Sequence, residues 1–60
     1  MIRNAFERGG TVYVEDERGR TLYARTGRLE GYTAGYVTVR EGGSLRTFDE
    51  RGLLIRSVAA

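Results

Sequence analysis

The carboxylate run Glu15-Asp16-Glu17, the serines Ser44 and Ser57, and a set of tyrosines and arginines are the residues whose types could do chemistry. Paired carboxylates can act as general acid and base. Neighbouring residues of a strand point to opposite faces, however, so this run would not converge on one substrate or on one hard cation. Asp16, like Asp49, has a simpler role as the first residue of a turn, where its side chain bonds the backbone two residues on. Neither serine has a histidine to activate it, because the chain contains none. With no cysteine either, thiolate and imidazole metal ligation are both excluded. Gly31-Tyr32-Thr33-Ala34-Gly35 is glycine-rich but lacks the lysine of a phosphate loop. The expectation is a protein that is not an enzyme and needs no cofactor.

Binding chemistry is better represented. Tyr13, Tyr23, Arg25, Tyr36, Arg40, Arg46, Phe48 and Arg56 alternate with apolar residues along the chain, which would gather them on one face of a sheet. Tyrosine and arginine dominate the energetic centres of protein interfaces. They also stack on bases and contact phosphates. The plainer reading is that pairs such as Tyr13 and Tyr23 only stabilise a sheet across strands. The net charge of +2 is small and weighs against nucleic acid. The partner expected from these residues is a second copy of the chain or another protein, with nucleic acid as the alternative and no membrane.

The elements that must position these residues follow from composition. The chain has 60 residues, no proline and nine glycines, and its valine, threonine and tyrosine favour strands broken by glycine turns. Chains this short often need a staple, and without cysteine or histidine a partner subunit is the ordinary one left. Met1 to Arg8 has no apolar core of a signal peptide, so a cytoplasmic location is expected.

The phrase DERG occurs at residues 16–19 and again at 49–52, within a longer match: GGTVYVEDERGRTLYA aligns without a gap to GGSLRTFDERGLLIRS. The expected fold is therefore all-β, one small domain over residues 1–60, with repeated units at 1–27 and 34–60 and a connector at 28–33. Each unit would be a three-stranded antiparallel meander, about six strands in all, related by a pseudo-twofold and forming a curled sheet, small barrel or sandwich. DERG suits a type I turn followed by a left-handed glycine. A three-residue loop at 17–19 would set Val14 against Leu22 and Tyr13 against Tyr23, and the matching loop would set Thr47 against Ile55 and Phe48 against Leu54. At the Gly-Gly turns, three-residue loops pair Val39 with Leu45 and Phe6 with Val12, whereas a two-residue loop would oppose Val39 to Arg46. The core would then be Phe6, Val12, Val14, Leu22, Ala24, Val37, Val39, Leu45 and Ile55. Ile2, Ala5 and Phe6 also suit one helical turn.

Phe48-Asp49-Glu50-Arg51-Gly52-Leu53-Leu54 resembles the hairpin phrase of YD or RHS repeats. The run Gly27-Arg28-Leu29-Glu30-Gly31-Tyr32-Thr33, with Val37-Thr38-Val39-Arg40, Gly42-Gly43 and Phe48-Asp49-Glu50-Arg51-Gly52, is similar to small uncharacterised β-proteins of bacterial and prophage genomes. That resemblance implies a small β fold and carries no site residue.

Overall fold

The computed structural model describes residues 1–59; residue 60, the last of the second expected unit, lies outside the described residues. The protein is all-β, with strands β1 (Ile2–Arg8), β2 (Thr11–Asp16), β3 (Thr21–Thr26), β4 (Arg28–Tyr32), β5 (Tyr36–Glu41), β6 (Ser44–Asp49) and β7 (Leu54–Ala59). They form two antiparallel sheets, ordered β1-β2-β3 and β4-β5-β6-β7, which do not close into a barrel. The expected connector is itself a strand. Gly27 turns the chain from one sheet into the other, at a φ of 136° and so close to β5 that an added Cβ would lie 2.6 Å from the Arg40 carbonyl oxygen. Only glycine fits there. Beyond it Leu29 packs against the core, and the Leu29 N–H donates to Glu7 Oε1 at 3.2 Å, drawing β4 alongside β1.

Both DERG turns form as three-residue loops. Gly19 N–H donates to Asp16 O at 3.1 Å and Gly52 N–H to Asp49 O at 3.1 Å, with both glycines left-handed. In each turn the aspartate Oδ1 accepts two backbone N–H groups, those of Arg18 and Arg20 or of Arg51 and Leu53, at 2.8–2.9 Å. Those bonds hold both carboxyls below their usual value, Asp16 chiefly through Arg20 N–H and Asp49 chiefly through Leu53 N–H.

The expected registers need correction. The Gly-Gly turns are two-residue loops: Arg8 pairs with Thr11 and Glu41 with Ser44. Gly9 and Gly10 both have positive φ, and so does Gly42, as the primed hairpin turns demand. Val39 therefore does stand opposite Arg46. The arrangement is tolerable because Arg46 sends its guanidinium to Glu41, 3.3 Å away, and keeps only its stem beside the valine. After the DERG turns, bulges at Leu22 and Ile55 slip the ladder by one residue, so Val14 pairs with Tyr23, Tyr13 with Ala24 and Thr47 with Arg56; the Phe48–Leu54 pair is as expected. Another bulge at Arg3 lets Ile2 and Ala5, three positions apart, both face inward from a strand, which accounts for their helix-like spacing.

The core is consequently Ile2, Ala5, Val12, Val14, Val37, Val39 and Phe48. Phe6, Leu22, Ala24, Leu45 and Ile55, expected in it, are not among the buried residues. Phe6 and Ala24 form the outward row with Tyr13, Leu22 stands unpaired at its bulge, and the other two lie on β6 and β7. Among the described residues no helix is long and apolar enough to cross a membrane.

Candidate interaction surface

The eight tyrosine, arginine and phenylalanine residues expected to share one face do not share it. Phe48 is buried in the core. Tyr23 and Arg25 point inward from β3, because the Leu22 bulge turns them to the side of Val14 and Val12. There they fasten one sheet to the other. Tyr23 Oη donates to Asp49 O at 2.8 Å, and Arg25 Nη2 donates to Gly52 O at 2.7 Å. The Arg25 guanidinium also lies 5.2 Å from the centre of the Tyr23 ring and 5.1 Å from that of Phe48, a cation–π arrangement. The second DERG turn is thus the anchor of the inter-sheet clasp, and Gly52 is buried beneath Tyr23 and Arg25. Burial raises the Tyr23 hydroxyl above its usual value and the nearby Asp49 adds to the rise, against an opposing pull from Arg25.

Arg46 stands on the inner side of β6, opposite Val39, and the other four residues divide between two surfaces. On the outer face of the three-stranded sheet, Tyr13 stacks on Phe6 with ring centres 5.5 Å apart, beside Glu15 and Asn4. On the outer face of the four-stranded sheet, Tyr36, Arg40 and Arg56 share their side with Thr38 and Thr47, whose hydroxyls are 3.2 Å apart. Arg40 Nε lies 3.0 Å from Glu30 Oε2. Tyr36, Thr47, Ile55 and Arg56 line an open depression of ≈ 290 Å³. Ile55, expected in the core opposite Thr47, belongs with Thr47 to this surface because the two-residue Gly42-Gly43 loop sets Thr47 beside Thr38 on the outer side.

Strand β7 borders this surface, with Arg56 and Val58 on its side and Leu54, opposite Phe48, on the inner side. None of its residues is buried, yet Leu54, Ile55 and Val58 are apolar and about half exposed, at 52%, 50% and 46%. Among the described residues it pairs only with β6, so its other edge offers free backbone N–H and C=O groups there. Among the described residues no group of three or more acidic side chains is placed to hold a metal ion. In comparisons with known proteins, no family model, curated protein or solved structure matches the chain.

Proposed function

We propose that this protein is a non-enzymatic β interaction module that associates with itself through the surface carried by β7. The observation that carries this reading is an edge strand with no buried residue, bearing half-exposed Leu54, Ile55 and Val58, next to a groove lined by Thr47, Tyr36 and Arg56. Natural sheets protect their edges with charge, proline or a covering element. Here Arg56 is the one charged residue of β7 and proline is absent. Apolar side chains on an unprotected edge favour a partner that removes them from water. A core drawn largely from valines, in a chain of 60 residues, gives the same partner a stabilising role. The internal match between the two halves fits duplication of one hairpin unit, and the β4 insertion then supplies the extra strand.

Light scattering across a range of concentration tests the proposal. The expected result is a mass that rises above that of one chain, and Ile55→Lys should lower it while leaving the circular dichroism of the fold intact. A monomer at all concentrations would refute self-association. Nucleic acid draws a second reading from the same groove, since Tyr36, Arg40 and Arg56 share its face. Its mark would be oligonucleotide binding that weakens steeply with salt. Turned inward, Tyr23 and Phe48 give that reading fewer exposed rings.

A further inference from the structure

The two halves of the chain align residue for residue and carry their bulges at aligned positions, Leu22 and Ile55, yet they bury opposite faces. Val14 is fully buried, while its aligned residue Thr47 lies on the outer groove. Phe48 is buried, while its aligned residue Glu15 lies outside, opposite Asn4. Two units related by a twofold axis would present the same face to each other. These present the front of the first to the back of the second. Such a head-to-tail contact leaves one front and one back unmatched, and it can repeat without closing. The unmatched front is the Tyr36–Thr47–Ile55–Arg56 groove. The unmatched back is the Phe6–Tyr13 stack with Glu15 beside it.

Resting on the self-association proposed for the β7 surface, we propose that the occupant of the groove is the outer face of the three-stranded sheet of a second copy, so that molecules stack head to tail. Charge complementarity supports this choice. Inside the molecule Tyr23 and Phe48 meet across the sheets, ring centres 6.3 Å apart. Their aligned residues on the two open faces are Arg56 and Glu15. A stack that repeats the internal geometry sets Arg56 of one copy against Glu15 of the next. Neither residue forms an ion pair within the described residues of its own chain. The depression beside Arg56 is open and partly apolar, lined by Ile55 and the Tyr36 ring, and the facing surface offers the rings of Phe6 and Tyr13.

Sedimentation velocity on the full chain, over a wide concentration range, tests the stack. The mass should climb past the dimer with no plateau. Glu15→Arg and Arg56→Glu, each alone, set like charges against each other and should weaken assembly by about tenfold or more. An equimolar mixture of the two restores opposite charges at every junction and should recover assembly. The double variant Glu15→Arg with Arg56→Glu carries the exchanged pair in one chain and should assemble by itself, which separates charge pairing from a folding defect. A plateau at the dimer, as edge-to-edge pairing of β7 would give, overturns stacking and leaves self-association standing. A mixture no better than its components also overturns stacking, and a strict monomer overturns both proposals.

Discussion

Gly52→Ala probes the inter-sheet clasp most directly, because Gly19→Ala supplies its control. Both glycines close DERG turns with similar left-handed backbones, φ +80° at Gly19 and +87° at Gly52. A Cβ at Gly19 has nothing within 4 Å. Its cost is therefore the left-handed conformation alone, about 1–2 kcal/mol. A Cβ at Gly52 would sit 3.2 Å from Arg25 Nη2 and 3.2 Å from Tyr23 Cγ and Cδ2. The neighbours must give way by a few tenths of an ångström, and neither gives way freely. Tyr23 is held by its hydroxyl on Asp49 O, and Arg25 by its bond to Gly52 O and its place over the Phe48 ring. Overpacking a fitted site adds about 1–3 kcal/mol, so Gly52→Ala should cost about 2–5 kcal/mol in all. A domain of this size has a total stability of roughly 3–9 kcal/mol. Urea denaturation of the two variants under identical conditions measures the difference. Equal losses for Gly19→Ala and Gly52→Ala would refute the clasp as a contributor to stability.

Gly27→Ala should be at least as severe, about 3–5 kcal/mol, because its Cβ would lie 2.6 Å from both Arg40 O and Val39 Cγ1; a midpoint unchanged in urea would contradict the tight corner between the sheets. Tyr23→Phe removes the bond to Asp49 O and should cost about 1 kcal/mol at neutral pH. It should also change the alkaline limb: the Tyr23 value is raised in the fold, so its contribution is whole below about pH 10 and is lost as pH rises through the folded value. The variant's stability should fall less steeply there. Asp16 and Asp49 have the opposite sign, since their values are lowered in the fold. Their contribution is present above about pH 4 and is lost as pH falls through the lower folded values, and Asp16→Asn with Asp49→Asn should flatten the acid limb of stability against pH.

Strand alternation makes Val12, Val14, Val37 and Val39 legible as core, and the residue preferences of turns make both DERG loops legible. Alternation cannot carry a bulge. Arg3, Leu22, Glu30 and Ile55 each stand unpaired where the register slips, and each slip exchanges the two faces of the strand beyond it. Alternation therefore puts Tyr23 and Arg25 on the surface, whereas they form the clasp; it puts Ile55 in the core on separate grounds, because a three-residue Gly-Gly loop would turn Thr47 and the residue opposite it inward. The Gly-Gly loops escape a reading by apolar matching for another reason. By that criterion Arg46 is a poor neighbour for Val39, but a long side chain can pass a rim position and reach Glu41. The strand at 28–32 is hidden by Gly31 within it and Gly27 before it, the latter serving a close approach to Val39 and Arg40 of β5.

The strand order has a consequence for how the chain acquires its shape during synthesis. Every hydrogen-bonded pair of strands joins consecutive segments, so no strand waits for a distant partner and ladders can form as the chain emerges. The valine face of the first sheet, however, is complete by residue 26 and has nothing to cover it until β5 and β6 are made. For that interval the nascent protein presents an apolar surface to its surroundings. The last part of β6 and its following turn, which hold Phe48, Asp49 and Gly52, end that exposure by engaging Tyr23 and Arg25.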